Sequence, residues 1–466
     1  LLTKELHKKL KLQNKYLRRP YADRLHKIYN RYYIIFRLFN TRVVYQANMS
    51  LEVNISEPEE FNCIELHNSI AEVAKAKGLE NFEYYVDCIS GKGTNYIANV
   101  FRVKIRNADN EEESFSVIVK TLVNTERQEM FYELHKREVI AYNNVISEFN
   151  AILDNLDEGL RIVLPECLYS STKNNNEVII LNDLNSHGFQ IDGQQAKFEY
   201  INIEQINAVV SELGKFHALS FILKQQDAKK FDGIKSDFLD IIFQNEFLNK
   251  SQLRYYFYES FEMSLKLVTD REAKKKLKKV KESLLELLQT YTKPANFNVL
   301  CHGDCWVNNI LFKDEDNDQT KICFIDFQAM RYASPLTDLM YFLYICTDSK
   351  IRSENLKQIK NTYHDSLKSF LSLFNLDVNE IYKRDDFDSD WAEFEPYGLL
   401  IAMVELRIVT MNPEEDAELK QSKLASNWDL SEVPGESDWF RHRVNDLVNE
   451  TVDNGVLDKL FNKVNN

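Results

Sequence analysis

This chain of 466 residues contains no long apolar run, no cysteine spacing typical of disulfides and no excess of basic residues. No apolar run approaches the ~20 residues that a helix needs to cross a membrane, so we predict no membrane span. The formal net charge is −14, whereas a general nucleic-acid binder presents a basic surface. The composition therefore predicts no nucleic-acid partner.

The seven cysteines are scattered and odd in number, which fits neither a disulfide framework nor a zinc site. Cys301 and Cys305 are the closest pair, but no second cysteine pair or histidine cluster completes a set of metal ligands. The first residues also lack the charged, apolar and small-residue order of a secretory signal. We therefore expect reduced thiols and a cytoplasmic protein.

Glycine and proline are scarce, with 12 and 8 residues, whereas Phe and Tyr are abundant, with 29 and 23. Apolar residues make up 44% of the chain, which is enough to bury a large core. The length fits one large domain, a two-lobed unit or three small domains. Because glycine is so rare, two glycines close together stand out from the background.

Residues 1–48 differ in charge from the rest of the chain. They contain 12 Lys and Arg and 2 Asp and Glu, so their formal charge is +10. Because the whole chain has a formal net charge of −14, residues 49–466 carry a charge of −24. A mitochondrial-type leader and a basic amphipathic helix for a membrane surface are two open interpretations. We favour a third, an extension outside the folded unit.

The apolar pattern changes from strand-like to helix-like along the chain. Between about 82 and 185, short apolar runs such as 97–105 and 114–120 are divided by polar turns. After about 200, apolar residues recur at spacings of three and four, which predicts one helix in 201–221 and a second helix over 271–288. The pattern therefore predicts an α+β chain in which strands precede helices.

Gly91 and Gly93 lie two residues apart in SGKGTNY, directly before the strand at 97–105. Glycines let backbone N–H groups approach a phosphate closely. The segment is not a Walker A loop, because Val86 and Gly93 stand where that motif needs a glycine and a serine or threonine. The pair is a candidate phosphate loop, and a plain turn before a strand is the alternative.

Lys120 ends the apolar run SVIVK and is a second candidate for phosphate contact. In a hairpin with the preceding strand, Lys120 faces about Val100, close to the glycine pair. Glu138 is placed to hold this lysine, because on a helix it shares one face with Leu134 and Ala141. The alternatives are a solvated strand end and a surface glutamate.

The stretch CHGDCWVNNILF enters a predicted antiparallel hairpin made by NILF (309–312) and KICFID (321–326). An acidic turn, KDEDNDQT, joins the two strands. Pairing of Lys313 with Lys321 places Asn309 opposite Ile325 at the other end of the hairpin.

Three polar side chains therefore meet at this end of the hairpin. Asn309 and Asp326 converge there, and Asp304 lies in the loop that leads into it. An amide oxygen and a carboxylate are hard ligands suited to Mg²⁺. A second carboxylate nearby can accept a proton from a hydroxyl nucleophile. A structural hairpin needs none of these groups.

His302-Gly303-Asp304 with Asn309, followed by Asp326, resembles the catalytic loop and the metal-binding aspartate of the protein-kinase-like fold. The HGD form is similar to that of aminoglycoside phosphotransferases and choline kinases. Longer segments also resemble the ecdysteroid kinase-like, or CHK-like kinase, family of insects, from about residue 60 to the C-terminus. These segments are GTNYIANVFRV, LNDLNSHGF, LGKFHALSF, LCHGDCWVNNILF and IDFQAMRYASPLTDLMYFLY.

The resemblance implies a bilobal protein-kinase-like fold of the α+β class, with an N-terminal lobe at 49–185 and a helical C-terminal lobe at 186–466. It implies a small-molecule kinase that uses ATP and Mg²⁺ and phosphorylates a hydroxyl group. It favours a steroid-like acceptor, an ecdysteroid or a similar hydroxylated lipophile.

The resemblance also implies a role for each candidate residue. Asp304 would be the catalytic base, and Asn309 and Asp326 would be the Mg²⁺ ligands. Lys120 would contact the ATP phosphates, with Glu138 orienting it.

The remaining implied positions lie around the nucleotide and the catalytic loop. Gly91 and Gly93 would cover the phosphates. Asn182 and Leu184 would belong to a hinge that holds adenine through backbone groups, although Asn182 stands where the family has an acidic residue. Two supporting positions would brace the catalytic loop, namely His302 and Asp338.

Three rival functions remain open. A choline or ethanolamine kinase needs an aromatic cage for its cation, which an aromatic content of 12% neither identifies nor excludes. A non-catalytic nucleotide-binding kinase fold is disfavoured, because Lys120, Asp304, Asn309 and Asp326 are all present. Metal-dependent hydrolysis fits poorly with the glycine pair and Lys120.

Overall fold

The computed structural model describes most of the chain, namely residues 43–45, 64–89, 98–110, 112–122, 128–174, 176–191, 200–315, 320–411 and 437–465. Gly91 and Gly93 of the predicted phosphate loop lie outside these residues. The chain divides into two units, Leu1–Asp87 with Val103–Phe115, and Cys88–Arg102 with Ser116–Asn466. The lobe boundary at residue 185 stays a prediction.

The first unit contains strand β1 (Val43–Tyr45), helix α1 (Ile64–Ala76) and strand β2 (Phe82–Cys88). β1 pairs antiparallel with β2, with Val43 opposite Tyr84. Three residues of the basic segment therefore form a strand of this unit, and residues 1–42 lie outside the described part of the chain.

Strands β3 (Ala98–Asn107) and β4 (Ser114–Leu122) form the predicted hairpin, because the Asn107 N–H donates to the Glu113 carbonyl at 2.9 Å. In β4, Val117 and Val119 are fully buried. Since side chains alternate along a strand, Lys120 points to the opposite face from Val119.

In the second unit, strand β6 (Asn176–Asn182) lies between β4 and strand β5 (Cys167–Lys173) and pairs antiparallel with both. Lys120 stands opposite Ile179 in this sheet. All five residues from Glu177 to Leu181 are buried, which explains why this run is apolar instead of alternating.

Helix α2 (Gln128–Ile140) continues through a π-helical stretch, Ala141–Ile146, into helix α3 (Ser147–Leu153). Leu134, Glu138 and Ala141 are all buried, as their predicted common face requires. The helix thus carries a carboxyl group into an apolar interior. π-Helical stretches are often found near functional sites.

Helices dominate the chain after residue 200, as the spacing of apolar residues predicts. The helices of this region are α4 (Ile203–Gln226), α5 (Ala228–Asp237), α6 (Asn245–Lys250), α7 (Leu253–Leu267), α8 (Arg271–Glu282), α9 (Leu284–Thr292), α10 (Leu336–Cys346), α11 (Ser349–Ser372), α12 (Val378–Ile381), α13 (Arg384–Val409), α14 (Asp438–Asp453) and α15 (Val456–Asn465).

Helix α4 is largely buried and packs closely against α11. A Cβ at Gly214 would lie 2.7 Å from the Tyr363 carbonyl oxygen, so the glycine permits close contact with α11. By length and composition α4 is the one described helix that could cross a membrane, but two-thirds of its most apolar window is buried within the protein. That burial is typical of a core helix.

The single helix predicted over 271–288 is wrong, because α8 ends before Ser283 and α9 begins after it. Ser283 adopts φ −109° and ψ 15°, outside the helical range. The break changes which residues face the core: Leu285 is buried, whereas Leu287 is only half-buried. Packing in the core therefore divides this segment into two helices, although the spacing of its apolar residues is continuous.

Short strands surround the loop that contains Asp304. Strand β8 (Val299–Cys301) pairs with β11 (Arg331–Ala333), and β9 (Ile310–Asp314) pairs with both β10 (Thr320–Phe324) and β7 (Gln190–Ile191).

The predicted register of the β9–β10 hairpin is confirmed. Lys313 pairs with Lys321, and the Ile325 N–H donates to the Asn309 carbonyl at 3.0 Å.

Candidate active site

The loop after β8 is held at its start by Asp338, in the first turn of α10. The Asp338 carboxylate accepts hydrogen bonds from the backbone N–H groups of His302 at 2.6 Å and Gly303 at 2.8 Å. His217 Nε2 of α4 lies 3.1 Å from the same group. Burial raises the pKa of Asp338, but its interactions with His217, His302 and the Gly303 N–H together outweigh burial and bring that pKa below its usual value. The carboxylate therefore stays ionised and fixes the loop.

Gly303 is required by its backbone conformation and by its neighbours. Its φ is +86°, and an added Cβ would lie 1.9 Å from the Ala329 carbonyl oxygen. Arg331 Nη2 donates to the Gly303 carbonyl at 2.7 Å, and Arg331 Nη1 lies 3.6 Å from Asp240. Arg331, in a buried ion pair with Asp240, therefore binds the carbonyl group of Gly303, whereas Asp338 binds its N–H group.

The His302 ring joins this loop to the end of the β9–β10 hairpin. Its Nε2 lies 2.9 Å from the Ile325 carbonyl oxygen, and its ring packs against Phe327 at 5.1 Å between centroids. The two contacts flank Asp326, so His302 fixes the position of that residue. This geometry is consistent with the supporting role predicted for His302.

His217, Cys301 and Asp338 bring three potential metal-ligand atoms within 4.8 Å of one another. Burial raises the pKa of Cys301 well above its usual value, so it remains a thiol. Its Sγ lies 3.4 Å from the Ser334 carbonyl oxygen, a hydrogen-bonding distance for a thiol donor. The Asp338 carboxylate is already occupied by three donors. This buried cluster is a hydrogen-bonded brace for the loop.

Asp304 is held on both carboxylate oxygens. Tyr341 of α10 donates its hydroxyl to Oδ1 at 2.7 Å, and Asn309 Nδ2 donates to Oδ2 at 2.9 Å. Burial raises the pKa of Asp304, the Tyr341 hydrogen bond lowers it, and nearby Asp326 raises it again. The net direction is upward, which makes Asp304 a stronger base than a free aspartate.

Lys120 lies between two carboxyl groups. Its Nζ is 2.6 Å from Glu138 Oε2 and 2.8 Å from Asp326 Oδ1. Burial opposes the charge of Lys120, but Asp326 and Glu138 outweigh it and raise the pKa of the lysine above its usual value. The lysine therefore carries a fixed positive charge beside Asp326.

Asn309 and Asp326 offer oxygens that fit a magnesium ion. Asn309 Nδ2 also donates to the Asp304 carbonyl at 2.9 Å, so both hydrogen-bonding directions of the amide nitrogen point to Asp304. Its amide oxygen has no hydrogen-bond partner among the described residues. Asp326 uses Oδ1 for Lys120, and its φ of +70° is unusual for a residue with a Cβ. Strained residues of this kind cluster at functional sites.

Polar groups of the predicted hinge form hydrogen bonds and an ion pair with other residues of the chain. Asn182 Oδ1 accepts from the Glu166 N–H at 2.8 Å, and the Leu184 carbonyl accepts from the Phe189 N–H at 3.2 Å. Asp183 is buried and forms an ion pair with Arg102 at 2.6 Å. The Asn182 side chain therefore acts as a connector between strands, and adenine binding by Asn182 and Leu184 stays a prediction.

Sequence reasoning missed three residues of this site, namely Arg331, Tyr341 and His217. Tyr341 follows Asp338 by three positions on one helix, and that spacing places it on the same face as Asp338. Its contact with Asp304 could have been inferred from this signal. His217 and Arg331 contact the loop from distant parts of the chain, and nothing local marks them.

Comparison with solved structures gives low similarity throughout. The chain is 11% identical to an ethanolamine kinase of Plasmodium vivax, over 80% of this chain and 83% of that one, with a TM-score of 0.39. It is 12% identical to an aminoglycoside 2'-phosphotransferase in its GDP complex, over 84% and 100%, with a TM-score of 0.40. It is 12% identical to a choline kinase of Streptococcus pneumoniae, over 83% of this chain and 99% of that one, with a TM-score of 0.33. These values establish no activity for this chain.

Comparison with curated protein sequences gives no match. The model of the ecdysteroid kinase-like family matches residues 92–376, more than half of the chain. This range contains Lys120, Glu138, Asp304, Asn309 and Asp326. The predicted α+β kinase-like fold class is confirmed by the strands and helices described above together with this match. The chain therefore belongs to the ecdysteroid kinase-like family and is a phosphotransferase that acts on a hydroxyl group.

Proposed function

We propose that the chain transfers the γ-phosphoryl group of ATP to a hydroxyl of a lipophilic small molecule, an ecdysteroid or a similar hydroxylated compound. The observation that carries this proposal is the meeting of Lys120 with Asp326 and of Asp304 with Asn309 in the second unit. Family membership supports the reaction, whereas the acceptor rests on the family's description alone.

Asp304 is the proposed catalytic base. Tyr341 and Asn309 orient its carboxylate, and its raised pKa favours acceptance of a proton from the acceptor hydroxyl. General-base assistance typically contributes about 10²–10⁴-fold to the rate. Phosphoryl transfer has a loose transition state, so positioning and neutralisation of charge dominate the rest of catalysis.

Asn309 and Asp326 are the proposed holders of Mg²⁺, through the amide oxygen and the carboxylate. When bound, Mg²⁺ would neutralise charge on the phosphates of ATP. Lys120 adds a positive charge beside Asp326, and Glu138 keeps its ammonium group in place. Gly91 and Gly93 are proposed to cover the phosphates through backbone N–H groups, and Asn182 and Leu184 to border the adenine.

We further infer a cytoplasmic location. Five of the cysteines are free thiols, and four of these five are buried, as expected in a reducing compartment. They are Cys167, Cys301, Cys305, Cys323 and Cys346.

Phosphate transfer from labelled ATP with Mg²⁺ tests the proposal. The acceptors are 20-hydroxyecdysone, ecdysone, choline, ethanolamine and an aminoglycoside, and Asp304→Asn is the matched variant. Label on a steroid that disappears with Asp304→Asn supports the proposal. Label on choline or ethanolamine would show that the acceptor is an amino alcohol instead of a steroid. ATP binding without transfer to any acceptor contradicts the proposed reaction.

A further inference from the structure

Arg137 joins helix α2 to two segments that are distant from it in the chain. Its side chain is buried. Its Nη1 donates to the Met330 carbonyl at 2.8 Å, directly before strand β11, and its Nη2 donates to the Leu239 carbonyl at 2.8 Å, just after helix α5. Its guanidinium group also lies over the Phe238 ring, 5.5 Å from the centroid. One buried cation therefore holds α2 against both segments.

The segment that contains Met330 also carries Asp326. A 3₁₀ turn, Phe327–Ala329, lies between the two residues. The Met330 N–H donates to the Phe327 carbonyl at 3.1 Å, which closes this turn. Arg137 thus binds the backbone four residues after the proposed metal ligand, at the other end of one short turn.

On helix α2, Arg137 is followed directly by Glu138, whose Oε2 lies 2.6 Å from Lys120 Nζ. Neighbouring residues of a helix point about 100° apart, so Arg137 binds the two backbone segments while Glu138 contacts Lys120. A side-chain group lies about 5–6 Å from the helix axis, so a rotation of α2 by about 20° would move the Glu138 carboxylate by about 2 Å. Such a displacement would separate Glu138 from Lys120.

We propose that Arg137 is a positioning residue for nucleotide binding. By binding both carbonyl groups it fixes the rotation of α2 relative to the segment that carries Asp326. It thereby keeps Lys120 between Glu138 and Asp326, and it acts on Lys120 through Glu138. A planar guanidinium group donates in fixed directions, whereas the ammonium group of a lysine does not. This inference rests on the proposed function, in which Lys120 contacts the phosphates of ATP.

The test compares Arg137→Lys with Arg352→Lys as the matched control. Arg352, on helix α11, is also buried, and its Nη1 donates to the carbonyl groups of Leu343 at 3.1 Å and Thr347 at 2.6 Å. It is therefore a second buried arginine that binds two backbone carbonyl groups, at the end of α10 and not on α2. Calorimetry with a non-hydrolysable ATP analogue and Mg²⁺ gives the Kd, and urea unfolding gives the stability.

We expect Arg137→Lys to raise the Kd for the ATP analogue about tenfold, because Lys120 is no longer held in place. Arg352→Lys should also lower the stability, but should keep the Kd within about twofold of the wild-type value. A purely structural role for Arg137 would lower the stability and leave the Kd of the folded protein unchanged in both variants. That result would overturn the inference.

A double-mutant cycle tests whether Arg137 acts through Glu138. In a Glu138→Gln background, Arg137→Lys should change the Kd less than twofold, because the contact that Arg137 positions is already weakened. A tenfold effect that persists in this background would show that Arg137 acts by another route, and it would contradict the inference.

Measuring binding and transfer separately distinguishes this inference from the proposed reaction. Weaker binding by Arg137→Lys, with no phosphate transfer by the wild type to any acceptor, would support the positioning role and contradict the kinase reaction. Transfer by the wild type, with an unchanged Kd in Arg137→Lys, would overturn the inference alone. No binding of the analogue to the wild type would overturn both.

A second variant keeps the inference testable if Arg137→Lys does not fold. Phe238→Leu removes the ring that lies beside the Arg137 guanidinium group and leaves both carbonyl groups in the chain. It should raise the Kd for the ATP analogue about threefold, because a cation–π contact contributes about 0.5–1 kcal/mol. An unchanged Kd in this variant would contradict the inference.

Discussion

Lys120 Nζ and Asp326 Oδ1 lie 2.8 Å apart although 206 residues separate them in the chain. The same ammonium group lies 2.6 Å from Glu138 Oε2. One cation therefore balances two carboxyl groups, one of which is a proposed metal ligand. A change at Lys120 should affect stability and activity together.

We expect Lys120→Met to lower kcat/KM for ATP about 10²–10³-fold, because a fixed charge beside the transferred group is lost. The free energy of unfolding should fall by about 3–5 kcal/mol, because two carboxyl groups lose their counter-charge. Steady-state kinetics and urea unfolding measure the two effects.

Lys230→Met is the matched control, because Lys230 forms an exposed ion pair with Glu148. Exposed ion pairs contribute little to stability, so this variant should behave as the wild type. Wild-type kinetics in Lys120→Met would contradict the role of Lys120.

Tyr341→Phe tests the hydroxyl that supports Asp304. The phenol donates to Asp304 Oδ1 and lowers the pKa of that carboxyl group, so its removal should raise the pKa of Asp304 further. We expect turnover to fall about tenfold, with a larger loss at pH 6 than at pH 8, because more Asp304 is protonated at the lower pH. Rates from pH 5.5 to 8.5 give the profile.

Tyr344→Phe controls for the loss of a phenol from the same helix, because Tyr344 makes no hydrogen bond with Asp304 in the structure. Its pH profile should follow that of the wild type. An equal loss of turnover at every pH in Tyr341→Phe would show that the hydroxyl does not act through the base.

The local part of the site is predictable from the sequence, because a short hairpin has few registers. Pairing of Lys313 with Lys321 follows from strand and turn lengths, and it alone brings Asn309 to Ile325 and hence to Asp326. The contact between Lys120 and Glu138 also follows from the predicted β3–β4 hairpin and from one face of a helix. These relations need only the periodicity of a strand or a helix.

The rest depends on contacts between distant segments. Arg331 reaches the Gly303 carbonyl, and His217 reaches Asp338, only because helices and strands pack in one particular way. The break at Ser283 has the same origin. A continuous spacing of apolar residues is compatible with one helix or with two, and packing in the core determines which of them forms. No local pattern in the sequence shows whether the segment forms one helix or two.

Gly303→Ala tests the geometry of the loop that contains Asp304. A left-handed conformation costs a residue with a Cβ about 1–2 kcal/mol. Overlap with the Ala329 carbonyl oxygen adds about 1–3 kcal/mol. We expect a loss of about 2–5 kcal/mol in the free energy of unfolding and loss of phosphate transfer.

Gly455→Ala separates the two causes, because Gly455 has a φ of +77° and nothing within 4 Å of an added Cβ. It should lose only about 1–2 kcal/mol and keep wild-type activity. Equal losses in the two variants, measured by urea unfolding, would show that the close contact at Gly303 contributes nothing.

His135 gives the fold a predictable dependence on pH. It is buried in helix α2, with Nε2 2.9 Å from the Ser171 carbonyl oxygen, and burial lowers its pKa to about 4. In the unfolded chain the pKa is about 6.5, so between these values the unfolded state binds a proton that the folded state does not. Stability contributed by neutral His135 is therefore present above pH 6.5 and lost as the pH falls towards 4. Between pH 7 and pH 5 the loss is about 2 kcal/mol.

Urea unfolding of the wild type and His135→Gln at pH 7 and pH 5 measures this contribution as a difference, which cancels the titration of other groups. Glutamine can donate to the Ser171 carbonyl but cannot be protonated, so the variant should gain about 2 kcal/mol relative to the wild type on going from pH 7 to pH 5. His187→Gln replaces an exposed histidine and should follow the wild type at both pH values. A constant difference between wild type and His135→Gln would mean that His135 is protonated as readily in the folded protein as in the unfolded chain, which its burial opposes.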